Sequence, residues 1–388
     1  MAFCVVRSAL RGKIVTSLRQ GFPRPLTCGL STKEKVDEKD IKKSVFISQS
    51  SDVYTNLALE DWMYNNLDFT NHHVMLLWRN DPCVVIGRHQ NPWCESDLTS
   101  LENNRVSLAR RNSGGGAVYH DPGNLNITFF APKQRYNRKN NLVLLAKTLE
   151  REWNLRPEIS SKEDILIDDT YKISGTASRI GRLNTYHHCT LLVDVDKKLL
   201  KSSLVQNEEM SISGSTATKS APSPTVNLKE LHSGITVQKL VAEVGWQYLR
   251  TTALTQQDGG WNQVQKQNGF QLVNPSHDWF PGIDEIKNNL RTWEWRFGKT
   301  PKFTVSQDHN VGCGTVHIDI NVEGGLVKDV CMTLPEDLSW GNLTGRVSML
   351  TSARGQRFSP SIFTIVKQAI KQQQLHFTKE HQKQAARV

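Results

Sequence analysis

Three consecutive glycines, Gly114, Gly115 and Gly116, stand between a pair of arginines and a strand-like A-V-Y, and no other stretch narrows the chain's options so far. The segment reads R-R-N-S-G-G-G-A-V-Y-H-D-P-G-N-L-N-I-T-F-F over residues 110–130. Without Cβ atoms the glycines let the backbone adopt φ > 0 and lie directly against a guest, while Arg110 and Arg111 can neutralise a phosphate or carboxylate held there. The expected guest is an anion. Neither common glycine-loop architecture fits. A dinucleotide loop opens a helix, but these glycines lead into β-branched and aromatic residues, a Pro122-Gly123 turn and another strand. Gly298-Lys299-Thr300 imitates the end of a P-loop, yet Trp293 occupies the first glycine position and Pro301 blocks the following helix.

The stretch resembles the signature of the lipoate-protein ligase and lipoyltransferase family, R-R-x-S-G-G-G-x-V-x-H-D-x-G-N-x-N. It stands here as Arg110, Arg111, Ser113 to Gly116, Val118, His120, Asp121, Gly123, Asn124 and Asn126. Two more family motifs follow in the family's order, K-I-S-G-x-A as Lys172 to Ala177 and H-H-x-T-L-L as His187 to Leu192. With V-V-I-G-R-H-Q-N-P-W at 84–93 and T-W-E-W-R-F-G-K-T-P-K-F at 292–303, the resemblance covers roughly residues 45–305 and is strongest toward mitochondrial lipoyltransferases of vertebrates.

A chain of 388 residues can bury a large core and form two domains. No apolar run approaches the roughly 20 residues that span a bilayer, so a soluble protein without a membrane partner is expected. Residues 1–33 hold six Arg or Lys and no Asp or Glu, which leaves +4 of the formal +10 for the rest. That remainder is too small and scattered for nucleic acid but suits an acidic protein partner. The first segment, Arg-rich, acid-free and amphipathic, reads as a mitochondrial transit peptide over 1–30, hence a matrix location. Seven cysteines without C-x-x-C pairs fit a reduced compartment and no structural zinc.

From Val45 short strands and helices alternate irregularly. Helices are expected over 53–67, 141–153 and 237–249, and strands over 74–78 and 83–87, joined as a hairpin across N-D-P. Further strands follow at 106–110, 117–119, 125–130, 164–168, 172–174 and 188–196. That order is α+β rather than doubly wound. The resemblance adds the fold, a biotin and lipoate ligase catalytic domain with helices packed on a mixed sheet. A catalytic domain over 45–260 and a smaller α+β accessory domain over 275–388 are expected. The Ser-, Thr- and Pro-rich residues 201–225 read as a loop over the surface or over the site, the composition breaks at Gly259-Gly260, and a final helix near 360–372 precedes a basic tail.

What the family does assigns roles. Lipoate's carboxyl must be activated, usually as a mixed anhydride with AMP, before a lysine amine attacks, and such an adenylate needs a glycine-rich cradle and a positioned cation. The resemblance makes Lys172 that cation; on the residues alone it could be a solvated strand lysine. It gathers Arg110, Arg111, Ser113, Gly115, Gly116, Val118, Tyr119, His120, Lys172, Ser174, Gly175, Thr176, Thr190, Ala221 and Ser223 around lipoyl-AMP. One of the two arginines is expected to serve structure. Val118, Tyr119 and His120 alternate on a strand and cannot all face the ligand. Asp164 either orients or deprotonates the incoming amine, or caps a loop. Glu163, where relatives commonly carry Arg or Asn, departs from the pattern. Cys189 could be a thioester nucleophile, but a small buried residue explains it better, and direct amine attack is preferred.

The implied function is an acyltransferase moving lipoyl from lipoyl-AMP, or from a lipoylated carrier such as the glycine-cleavage H protein, to a lysine on lipoyl domains of 2-oxoacid dehydrogenase E2 subunits. An ATP-dependent ligase making its own lipoyl-AMP and a non-catalytic lipoyl-domain binder are the alternatives. No cofactor is expected to be tightly bound and no protein ligand set implies a metal; ATP and Mg²⁺ enter only with the ligase. A monomer is expected.

Overall fold

The computed structural model describes residues 41–204, 211–250, 267–311, 314–334, 345–349 and 352–372. The expected transit peptide, the break at Gly259-Gly260 and the basic tail lie outside them. In chain order the strands are β1 (Lys42–Ser48), β2 (His72–Trp78), β3 (Cys83–Ile86), β4 (Ser107–Arg110), β5 (Val118–His120), β6 (Asn124–Pro132), β7 (Glu158–Ile159), β8 (Ile165–Ile167) and β9 (Tyr171–Lys172). They continue with β10 (Thr176–Ile180), β11 (Asn184–Leu192), β12 (Ser211–Ser213), β13 (Gln267–Val273), β14 (Phe303–Asn310), β15 (Thr315–Glu323), β16 (Leu326–Thr333) and β17 (Arg346–Ser348).

The large sheet is mixed, in the order β10-β11-β6-β2-β1-β13, with β1 parallel to both neighbours and the other pairs antiparallel. Its strands are apolar on both faces, so helices must cover both. Met75, Leu77, Leu125, Ile127 and Phe129 point into one core with the helices Arg138–Trp153 and Val237–Leu249. Leu76, Trp78 and Phe130 point into the other, under the helix Val53–Asn66 and beside Ile283–Arg291. Side-chain caps start three of these helices: Asp52 accepts from Thr55 N, Asn137 from Asn140 N and Thr236 from Lys239 N. The mixed sheet with packed helices is the expected α+β arrangement.

Two local expectations fail. β2 and β3 do not form a hairpin: β2 lies between β1 and β6, whereas β3 is the centre of a separate sheet, β4-β3-β5. Both edges of β2 are taken by β1 and β6, and β3 is paired on both sides by β4 and β5 and covered on both faces, Cys83 and Val85 by one core and Val84 and Ile86 by another. The stretch 201–225 is also more than loop, because Ser211–Ser213 forms β12 on the edge of the second large sheet, β12-β14-β15-β16-β17.

That second sheet packs on a helix over 362–372. Trp93, from the Asn91-capped turn Pro92–Glu95, is buried in the same core, with Phe297, Phe303 and Phe358 at ring-centroid distances of 5.3–5.4 Å. Strand β13, between the two expected domains, extends the first sheet beside β1.

Candidate active site

Gly116 and Lys172 line one cavity of about 260 Å³. The strands bring them together. β5 follows the glycine run and pairs with β3, while β9 and β10 flank Ile173, which is locked into the core by its N–H on Ile165 O. Lys172 Nζ lies 2.8 Å from Asp164 Oδ1, and the two side chains are 22% and 19% exposed. Asp164 does not cap the loop before it. Ser160 does that, accepting Asp164 N at its Oγ (3.1 Å) while its own N–H reaches Asp164 O (2.9 Å). Glu163 takes φ +61° in this turn and pairs with Arg138, on the wall of a second, open cleft of about 630 Å³.

Of the expected set, Arg111, Gly116, Val118, His120, Lys172, Gly175, Thr176, Thr190 and Ala221 line the first cavity. Strand alternation separates β5 as anticipated, with Val118 and His120 facing the cavity and Tyr119 in the core with Val84 and Leu108. Thr190 Oγ1 accepts Gly175 N at 2.8 Å, which fixes that wall. Arg111 lies behind the bend, donating from Nη2 to Gly114 O (2.6 Å) and Gly116 O (2.7 Å) and from Nη1 to Val85 O (2.9 Å).

The remaining candidates lie away from the lining of this cavity. Arg110 is 0% exposed and spends its donors on the carbonyls of Gly87, Arg88, Gln90, Trp295 and Arg296 and on Thr300 Oγ1, with none turned to the cavity. Burial lowers both guanidiniums to about 10, so both stay charged at neutral pH. Ser174 is buried and accepts Ile165 N. Ser223 is exposed and outside the lining. Gly115 faces the open cleft instead. Its φ of +86° demands glycine, as does the approach of Gly87, where a Cβ would stand 2.1 Å from Gly115 O. The bareness of the run therefore serves chain-to-chain packing first: a Cβ on Gly116 would meet Ser220 Oγ at 3.0 Å.

Ser220 itself was missed. Its Oγ accepts Ala117 N (2.8 Å) and Gln90 Nε2 (3.1 Å) and it bonds Glu95, whose carboxyl burial raises above its usual pKa; this holds Lys219 and Ala221 on the cavity wall. Low complexity hid it. His188 and Asn126 also line the cavity, and both stood in quoted motifs. His188 joins Ser113 Oγ to Glu60 Oε1, 2.8 Å on each side, an order that imitates a serine triad. Ser113 is 1% exposed, accepts Arg111 Nε and does not line the cavity, so the chain is a buried tie behind it. Cys189 lines the cavity as a thiol whose pKa burial drives far up, the opposite of an activated nucleophile. Among the described residues no group of three or more His, Cys, Asp or Glu is placed to hold a metal.

A family model of the lipoyl protein ligase A/B catalytic domain matches residues 52–247, half of the chain. The chain belongs to this family. Within it, the chain is 39% identical over 355 residues to the mitochondrial lipoyl amidotransferase LIPT1 of Mus musculus, covering 89% of this chain and 86% of that one. It is 37% identical over 348 residues to the Homo sapiens protein of the same name, covering 88% and 89%. Lipoate-protein ligase A of Bdellovibrio bacteriovorus is 34% identical over 293 residues, 74% of this chain and 82% of that one. Among solved structures, P. falciparum LipL1 in complex with lipoate superposes with a TM-score of 0.55 at 26% identity, over 75% of this chain and 84% of that one. The biotin and lipoate ligase fold is thereby the fold of this family member.

Proposed function

We propose that the chain is a lipoyl amidotransferase of the mitochondrial matrix that moves lipoyl from lipoyl-AMP to a specific lysine of E2 lipoyl domains. The names of its two LIPT1 relatives support this, as does the structure of an archaeal lipoate ligase system described with its E2 lipoyl domain. The basic, acid-free first segment supports the compartment. The observation that carries the chemistry is the Lys172–Asp164 pair on the wall that Gly116 also lines.

In this reading Lys172 holds its ammonium against the acyl carbonyl and phosphate oxygens. The acceptor amine attacks the carbonyl carbon; the C–N bond forms, the bond to the phosphate oxygen breaks, and AMP leaves. The oxyanion that develops meets a cation already in place, which needs no reorganisation. Asp164 orients Lys172 through one oxygen and takes the amine's proton on the other, which has no protein partner among the described residues. Residues 45–260 supply this site and 275–388 an accessory unit, and the enzyme works as a monomer. Incubation with lipoyl-AMP and an apo lipoyl domain tests the reading: AMP release without mass gain on the domain defeats it.

The relatives named lipoate-protein ligase A favour a second reading, in which the chain makes lipoyl-AMP from lipoate and ATP with Mg²⁺. Pyrophosphate release from lipoate and ATP separates the two. Lipoylated H protein as donor is tested by mixing it with apo lipoyl domain without nucleotide.

A further inference from the structure

Strand β10 is the outer edge of the large sheet, and its far side meets no other strand among the described residues. The hydrogen bonds to β11 fix which of its backbone groups face outward. Gly181 N–H reaches Asn184 O (3.0 Å) just past one end of the pairing, and Thr190 N–H reaches Gly175 O (2.9 Å) just past the other. In the register that runs from Thr176↔Cys189 to Ile180↔Thr185, Ala177 and Arg179 are then the residues bonded to β11. Thr176, Ser178 and Ile180 turn their N–H and C=O groups away from it. All three line the open cleft of about 630 Å³, with the glycine run at its inner end, where a Cβ on Gly115 would lie 3.8 Å from Thr176 O.

An open edge is normally shielded by outward charge, a bulge or proline. The T-A-S-R-I of β10 has no proline and pairs without a register shift, and its one charge, Arg179, is turned onto Asp61 and the Tyr64 ring. It ends in Ile180, 57% exposed, with Leu183, 73% exposed, across the turn. Exposed cations stand around the same end. Lys139 lines the cleft, Lys133 is held beside the turn by its N–H on Leu183 O (2.7 Å), and Arg182 lies in the turn. Among the described residues none of these three side chains has an acidic partner, and the carboxylate of the cleft wall, Glu163, is taken by Arg138. Free main-chain groups, an apolar pair and unpaired cations fit an acidic partner that brings a strand of its own. The edge also leads to the chemistry. Thr176 and Ala177 line both the cleft and the first cavity, and Glu163 precedes Asp164, the partner of Lys172. From Ile180 to Thr176 the edge runs about 13 Å at the rise of an antiparallel strand. We propose that the acceptor domain docks by adding a strand along β10: Ile180 and Leu183 hold its far end, Lys133, Lys139 and Arg182 face its acids, and a lysine at its near end enters the cavity past Thr176. This deepens the transfer reading above and rests on it for the identity of the partner.

The test combines calorimetric binding of an apo lipoyl domain, with no donor present, and the kinetics of transfer to it from lipoyl-AMP. Affinity for lipoyl sulfamoyl-adenosine, which cannot react, is the control for the cavity. Ile180→Pro removes an outward N–H and leaves the bonds to β11 in place, because residue 180 makes none there. Leu183→Glu and Lys139→Glu alter the tip and the charge. Each variant is expected to weaken domain binding and raise the KM for the domain about tenfold, with kcat and analogue affinity unchanged. Thermal melting checks the fold, and if Ile180→Pro melts early, Leu183→Glu at its exposed position carries the comparison. Domain binding that none of the variants alters, or a loss matched by an equal loss of analogue affinity, overturns the proposal. So does a wild-type chain that sediments as a dimer which Ile180→Pro dissociates, because the edge is then a contact between copies. A wild type that binds the domain through this edge but transfers no lipoyl instead sinks the transfer reading and leaves the docking surface standing.

Discussion

Lys172 and Arg110 are both motif cations, but their surroundings ask different things of them. Lys172 is partly exposed and, among the described residues, its ammonium pairs with Asp164 alone, so its removal subtracts charge from the cavity and little from the core. Lys172→Ala is expected to lower kcat for transfer from lipoyl-AMP about 10²–10³-fold, as for loss of an oxyanion donor, with the KM for the acceptor domain unchanged in the same assay. Arg110 is the reverse case. Arg110→Ala leaves the carbonyls of Gly87, Arg88, Gln90, Trp295 and Arg296 without that donor. It should cost about 3 kcal/mol or more in urea unfolding, while the folded fraction keeps its kcat. Two adjacent arginines in one motif look alike on paper; which is a wall and which a clamp depends on what the partner strands bring to each face.

At the scale of elements, the site is a matter of bare backbone meeting backbone. Directly after β3 comes Gly87, whose place against Gly115 O allows no side chain, and the bend is tied there by Arg88 N on Ser113 O (2.9 Å). Gly87→Ala is expected to destabilise the chain by about 2 kcal/mol and to raise the KM for lipoyl-AMP, because the bend must retreat from β3 and carries Gly116 with it; thermal melting and initial rates read the two effects. The hairpin expected between β2 and β3 fails at this same scale. Both strands read as buried, and the turn residues between them permit a hairpin, but periodicity does not report which sheet a fully covered strand joins.

For the whole molecule, Trp93 is the joint. It belongs by position to the first half and by packing to the core of the second sheet, 3% exposed. Trp93→Ala should cost about 3–5 kcal/mol and be felt in a calorimetric scan as a fall of the Tm. Acid should also unfold the protein early. His120 and His73 have pKa values pressed to about 3 and about 4, chiefly by burial. Below about pH 6.5 the unfolded chain binds protons that these folded histidines refuse, so stability falls as pH falls, by about 1.4 kcal/mol per unit for each, until their folded pKa values are reached. Above pH 6.5 they have no effect. Urea midpoints at a series of pH values should show this slope, and His73→Gln should flatten it.

The sequence by itself determined the family, through three motifs in order, and with it the α+β class and the lysine at 172. It also determined the helices with one-sided apolar spacing and the alternation that sends Val118 and His120 one way and Tyr119 the other. Those properties are local: they depend on residue type and on a period along the chain. Tertiary structure alone decided that Arg110 turns its donors away from the cavity, that Gly115 and Gly116 face different clefts, and that Ser220 reaches back to Glu95. Each of these depends on which distant atoms fill a hydrogen-bond vacancy, and a vacancy is defined only once the strands have met.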